Sequence, residues 1–251
     1  MAEDERQAGA SEELTDAQRD PFLSLRNGAT EVYFVRHGDA LPGVDEVILG
    51  DYDAQALSSL GRRQAEALAQ RMRQVAPTAI YSSPTGRARQ TAQPTADALG
   101  LTIQIAPDLR EVELGAIGGD LAADADAAAV SALLRRRLRD IAVIALTSGT
   151  WASIPGSEPS AQLRQRVSDA IAHIATQHAG QRVLVVSHGG AINAWFAALL
   201  GIERDYFFPA ANTSISVARV KGERRLLMAL NDISHLREAG VFEESVRPPT
   251  P

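Results

Sequence analysis

The stretch Glu31-Val32-Tyr33-Phe34-Val35-Arg36-His37-Gly38-Asp39 decides how the chain is read. Val32 to Val35 is an unbroken β-branched and aromatic run, the pattern of a buried strand. It stops at a cation, an imidazole and a glycine. In an open α/β sheet, ligands bind beyond the carboxyl ends of the strands, so Arg36 and His37 point toward the expected site. Gly38 permits a tight turn and a close approach of backbone to ligand. Arg-His-Gly by itself is a weak signal. A second run of the same kind, Val183-Leu184-Val185-Val186, ends in Ser187-His188-Gly189-Gly190. Packing does not explain two buried strands that each deliver His-Gly to one sheet edge.

The 251 residues, 45% of them apolar, allow one large α/β domain or two small ones. A net charge of −6 gives no basic field that would recruit nucleic acid. With no cysteine there is no disulfide framework, thiolate metal site or cysteine nucleophile. No run of about 18 apolar residues predicts a membrane span, and Met1 to Arg6 lack an apolar signal core. The expected location is cytoplasmic. Lys221 is the one lysine, so a phosphate clamp here has to be built from arginine.

Residues 1–28, polar and acidic, are expected to form a flexible tail, with a short helix near Ser11 to Arg19. The loop from Ala40 to Leu57 leaves the first strand and must border the site. Ser58 or Ser59 can cap a helix running to about Val75, with Ala65, Leu68, Ala69 and Met72 at helical spacing. A short strand, Ala79 to Tyr81, leads to Ser82-Ser83-Pro84. Serine before proline predicts a helix start there, which places Arg87 in the first turn beside free N–H groups, a ready anion site. A surface charge is the alternative for Arg87 and the preferred reading for Arg89. A strand over 101–105 follows, and then Glu111 and Glu113. Spacing does not choose between those two acids.

Residues 116–158 are expected to form a cap-like insertion, with a helical stretch near Leu133 to Leu138. Its Arg135-Arg136-Arg137 run reads as a solvated face. A helix from about Pro159 to Ala179 carries His173 and His178 in structural places. Another helix, with Ile192, Trp195, Phe196 and Leu199, comes after the second buried strand. Thr213 to Val220 and Arg224 to Leu230 make a closing antiparallel pair. Residues 29–238 then form the catalytic domain and 239–251 a flexible tail. The fold class is α/β: three layers, a mostly parallel sheet with helices on both faces.

Two arginines suit a forked dianion such as phosphate. A neutral imidazole is a competent nucleophile toward phosphorus, and a carboxyl can protonate a leaving oxygen. No Gly-x-Ser-x-Gly, P-loop or Gly-x-Gly-x-x-Gly is present. With these residues in place, the chain resembles the histidine phosphatase superfamily, the phosphoglycerate-mutase-like fold, from about Glu31 to His235. The resemblance rests on Arg36-His37-Gly38, on Leu57 to Ala65, on Ser82-Ser83-Pro84 with Arg87-Ala88 and Gln90-Thr91-Ala92, on Leu109-Arg110-Glu111 with Gly115, on Pro155-Gly156 with Glu158 and Arg166, and on Ser187 to Gly190.

It implies His37 as the residue that carries a phosphohistidine, Arg36, Arg87 and His188 around the phosphate, and Glu111 as the acid; a protonated His188 is the expected form when it holds the phosphate. Gly189, Asp39 and Asn212 are the further expected ligand contacts. The family's mutases usually follow Arg-His-Gly with Glu and a nearby Trp-Asn pair. Asp39-Ala40-Leu41 departs from that and favours a phosphatase. The expected activity is metal-independent and cofactor-free hydrolysis of a small phosphomonoester. A mutase or sugar bisphosphatase, a protein phosphatase and a non-catalytic phospho-ligand binder are the alternatives. A metal on His37, His188 and Glu111 is disfavoured because the adjoining arginines would repel a cation. No nucleic-acid or membrane partner is expected, and a homodimer is allowed.

Overall fold

A computed structural model describes residues 15–40, 55–115 and 126–242. In chain order the elements are α1 (Asp16–Arg19), β1 (Thr30–Arg36), α2 (Ser59–Val75), β2 (Ala79–Ser82), α3 (Gly86–Leu99), β3 (Ile103–Ile105), α4 (Ala127–Ser148), α5 (Ser160–Gln177), β4 (Arg182–Ser187), α6 (Gly189–Leu200), β5 (Ile215–Lys221), β6 (Arg224–Asp232) and α7 (Ser234–Glu238). They build one sheet in the order β3-β2-β4-β1-β5-β6. The first four strands of that order run parallel; β5 and β6 close the edge as an antiparallel hairpin.

Side chains alternate across a strand, so the apolar runs feed two clusters. Val32, Phe34, Val183 and Val185 pack with Leu163, Val167 and Ile171 of α5 and with Trp195 and Phe196 of α6. Val35, Leu184, Val186 and Ile80 pack with Leu68 and Met72 of α2 and with Ala88, Ala92 and Ala96 of α3. Burial on both faces is why these strands read as unbroken runs. The result is the three-layer α/β/α arrangement that the sequence predicts. Phe34 lies 4.6 Å from the Trp195 ring and 5.1 Å from Phe196. Truncating it to alanine would cost about 3–5 kcal/mol.

The helix expected from Ser83-Pro84 starts later, at Gly86. The Ser83 N–H still bonds to the Val186 carbonyl, so the sheet ladder runs on through Ser83. The third strand starts at Ile103 rather than 101, because Leu101 N–H turns back to the Ala96 carbonyl behind a left-handed Gly100. The helical stretch near 133–138 belongs to a much longer α4, capped by the Asp126 carboxylate on the Ala129 N–H. Its exposed Arg136 makes only a 3.8 Å surface pair with Asp140, worth little.

Residues 15–28, expected as part of a flexible tail, are tied down. Asp20 accepts from Ser24 and Asn27, Arg224 bonds to the Asp20 carbonyl, and Leu23 is buried. Val241 likewise packs on Ala67 and Leu236. The expected tails at 1–14 and 243–251, most of the 40–57 loop and residues 116–125 lie outside the described residues. Among the described residues no helix is long and apolar enough to cross a membrane.

Candidate active site

Parallel pairing of β1 with β4 sets Arg36 opposite Ser187. The next residue on each strand is a histidine, and the ring centroids of His37 and His188 lie 5.1 Å apart. The His37 N–H extends the ladder by donating to the Ser187 carbonyl at 2.9 Å.

The His37 ring has a defined orientation. Nδ1 is 2.7 Å from the Gly38 carbonyl oxygen. A carbonyl only accepts, so Nδ1 carries the hydrogen and Nε2 keeps its lone pair. Burial pushes the His37 pKa well below the usual histidine value, and the charges of Arg87 and Arg36 push the same way, against the pull of the Gly38 carbonyl. The free site therefore favours a neutral imidazole whose Nε2 keeps its lone pair.

His188 is fully buried at the N-cap of α6. Its Nε2 is 2.8 Å from Ser83 Oγ, and its Nδ1 is 3.5 Å from an Arg87 terminal nitrogen. Arginine only donates, so Nδ1 accepts and Nε2–H donates to Ser83. Burial comes first in holding its pKa well down, followed by Arg87, His37 and Arg36. The expectation of a protonated His188 concerns the phosphate-bound site; in the free site burial and the two nearby guanidiniums favour the neutral ring. A bound phosphate dianion reverses the sign of that field and favours the imidazolium.

Arg36 and Arg87 flank the two rings. One terminal nitrogen of Arg36 holds the Ala210 carbonyl at 2.7 Å, while its Nε is buried without a hydrogen-bond partner among the described residues. Arg87 is 3% exposed in the first turn of α3, so the surface-charge alternative falls away. Its backbone carbonyl accepts from Thr91 Oγ1, and that hydroxyl accepts from the Gly38 N–H.

Of the two acids, Glu111 turns inward. Its carboxylate accepts from the N–H groups of Val112, Gly190 and Ala191 at 3.0, 3.2 and 3.1 Å. The last two are among the free donors that open α6. Glu113 instead pairs with Arg110 in an exposed bridge. The Glu111 loop is gripped from behind by Arg166, which donates to the carbonyls of Asp108, Arg110 and Glu111 at 2.7, 2.9 and 2.9 Å. Arg166 also forms a two-pronged pair with buried Glu158, both contacts 2.7 Å. That partner holds the Glu158 pKa low against the cost of burial.

The remaining expected contacts lie around the same loop. The Asp39 carboxylate receives Ser58 Oγ at 2.5 Å, and the same oxygen of Ser58 caps α2. Asn212 Nδ2 donates to the His37 carbonyl at 3.0 Å and so fixes the loop that carries His37. Gly189 lies alongside the Arg36 side chain, where a Cβ would have ordinary contact distance. Gly38 is required for another reason than its sequence position suggests: a Cβ there would sit 2.8 Å from the Gly61 carbonyl, where α2 packs against the site loop. Ser83, Thr91, Gly190 and Ala191 were not singled out as site residues in the sequence; Ser83, Thr91 and Gly190 stand inside the quoted motifs. Among the described residues no group of three His, Asp or Glu side chains could hold a metal ion.

Two imidazoles, two guanidiniums and a carboxyl at the carboxyl edge of a doubly wound sheet define a phosphoryl-transfer site of the histidine type. Residues 32–233 match the model of the histidine phosphatase superfamily, branch 1, and the chain belongs to that family. The metal-independent phosphoserine phosphatase of Arabidopsis thaliana is 29% identical over 241 residues, 92% of this chain and 95% of that one. The probable phosphoglycerate mutase GpmB of Erwinia tasmaniensis is 29% identical over 227 residues, covering 85% of this chain and 98% of its own length. The solved structure of Bacillus stearothermophilus YhfR superposes with a TM-score of 0.65 at 26% identity, over 83% of this chain and 100% of that one.

Proposed function

We propose that the chain hydrolyses a small phosphomonoester, without a metal, through a phosphohistidine on His37. The observation that carries this is the pair of rings 5.1 Å apart, with His37 Nδ1 committed to the Gly38 carbonyl and Nε2 left available.

Nε2 attacks phosphorus, and the bond from phosphorus to the ester oxygen breaks. Arg36, Arg87 and the imidazolium of His188 hold the non-bridging oxygens; their positive charges offset the negative charge of the transferring group. Glu111 gives a proton to the departing alcohol oxygen. In the second half, Glu111 takes a proton from water as that water attacks phosphorus. The bond to Nε2 breaks, and inorganic phosphate leaves with His37 neutral again. Ser83 keeps His188 oriented, and Asn212 and Thr91 keep the His37 loop in register.

The relatives support a small metabolite bearing a carboxylate, since one is described as a phosphoserine phosphatase and another as a probable phosphoglycerate mutase. Asp39-Ala40 after the Arg-His-Gly motif supports hydrolysis over mutase chemistry. Phosphate release from phosphoserine, 3-phosphoglycerate and p-nitrophenyl phosphate, with and without chelator, tests the reading. Wild type should turn over at least one of them in chelator, and His37→Ala should lose at least about a thousandfold. A variant that keeps most of the rate would remove His37 from the mechanism.

A further inference from the structure

The phosphoryl pocket accounts for His37, His188, Arg36 and Arg87, but not for the half of the substrate that leaves. Glu111 must reach the ester oxygen, so the alcohol has to emerge on the Glu111 side. That side carries an aromatic pair. A Cβ added to Gly190 would meet both the Glu111 carboxylate and Trp151 Cζ2, the latter at 3.2 Å, so the Trp151 ring stands next to the acid. Trp151 is buried, and Tyr206 packs against it edge to face at 5.9 Å and 73°.

Tyr206 sits on a short, firmly held loop. Before it, Asp205 accepts from Ser160 Oγ, Thr150 Oγ1, Trp151 N–H and Arg164. After it, the N–H groups of Phe207 and Phe208 both bond to Asn193 Oδ1, and the Ala210 carbonyl takes Arg36. The ring is only partly buried, and its hydroxyl has no hydrogen-bond partner among the described residues. Burial raises its pKa, and the two charges acting on it are Arg36, which opposes the rise, and Glu111, which adds to it. A phenol packed on the ring that stands next to Glu111, on the loop whose Ala210 carbonyl holds Arg36, with no hydrogen-bond partner for its hydroxyl among the described residues, is placed to read the substrate.

We propose that Tyr206 contacts the alcohol half of the substrate and selects leaving groups that carry an oxygen acceptor, a carboxylate or hydroxyl, near the ester. The preferred class is then phosphorylated hydroxy acids over plain alkyl phosphates. This rests on the phosphomonoesterase reading above.

Tyr206→Phe removes one oxygen and keeps the ring against Trp151, so the fold is not at stake. Its kcat/KM should fall at least tenfold more on phosphoserine or 3-phosphoglycerate than on propyl phosphate, the size of one hydrogen bond to a charged acceptor. Equal losses on all three, or none, would overturn the proposal. Binding to His37→Ala protein supplies an arm that needs no turnover. There Tyr206→Phe should weaken phosphoserine about tenfold and inorganic phosphate much less; equal weakening of both would also overturn it. Absence of wild-type hydrolysis of every ester would instead strike the phosphomonoesterase reading, and the binding arm would still decide for Tyr206.

Discussion

The Gly190 amide donates to Glu111 Oε2 at 3.2 Å, and a side chain on Gly190 would collide with Oε1 of the same carboxylate. One backbone position thus both receives the acid and leaves room for it. Gly190→Ala should favour the helix itself by about 1 kcal/mol, because alanine outranks glycine inside a helix. The added methyl presses hardest on the Glu111 carboxyl, and on Trp151 at 3.2 Å, so a loss of activity without loss of stability points to the displaced carboxyl. The expected result is a kcat/KM fall of about 10²-fold on phosphoserine, within the range for misplacing a general acid. The fall should be smaller on p-nitrophenyl phosphate, whose leaving group scarcely needs a proton. Melting curves together with both rates check it; equal losses would mean Glu111 is not the group affected.

In the proposed reaction, the 2.7 Å hydrogen bond from His37 Nδ1 to the Gly38 carbonyl directs the phosphoryl group to Nε2. Phosphorylation at Nδ1 would need that bond broken and the ring turned. Glu111→Gln should slow breakdown of the intermediate enough for acid-labile phosphate to accumulate. Phosphorus NMR of the trapped protein should then report the Nε2-linked isomer. The Nδ1-linked isomer would show that the free orientation of the ring is not the reacting one.

What the sequence made legible follows from where each constraint lies along the chain. β1 and β4 were readable because they are buried on both faces, and both histidines follow those strands directly. Spacing could not choose between Glu111 and Glu113, and the choice came only with the family resemblance, because the N–H groups that hold Glu111 lie about 80 residues away, at the start of α6. Asp39 is an expected ligand contact in the sequence, and in the structure its carboxylate also accepts from Ser58, the cap of α2. The later start of α3 was hidden for a similar reason: Ser83 is held by β4 and His188, partners that local helix signals do not record.

Arg166 places five hydrogen bonds on the far side of the Glu111 loop, three to carbonyls and two to Glu158. Lysine has a single charged nitrogen and cannot span both sets. Arg166→Lys should lower kcat more than it raises KM, because the phosphate pocket is untouched while the acid loses its backing. Arg166→Met leaves the Glu158 carboxylate buried without its partner and should cost about 3–5 kcal/mol of stability. Adding Glu158→Gln should recover part of that stability without recovering kcat. Chemical denaturation and steady-state rates on the same samples separate the two effects; recovery of kcat in the double variant would reduce Arg166 to a purely structural role.

His235, 4% exposed on α7, should make the fold acid-sensitive. Burial drives its pKa down to about 4; Asp232 pulls upward, Arg71 downward, and a bond to Thr213 upward. Its ordinary value is 6.5. Below pH 6.5 the unfolded chain takes up a proton that the folded chain refuses until about pH 4. Stability is therefore full above 6.5 and falls between those two values. The loss from pH 7 to 4.5 should be on the order of 2–3 kcal/mol from this group. His37 and His188, shifted in the same direction, add to it. The neighbouring Thr213 N–H holds the Arg36 carbonyl, so loosening at His235 also reaches the site loop. Urea unfolding at pH 7 and 4.5 for wild type and His235→Gln measures the difference. The variant should lose less stability on acidification than wild type; an identical pH slope would show that His235 stays protonated, or stays neutral, in both states.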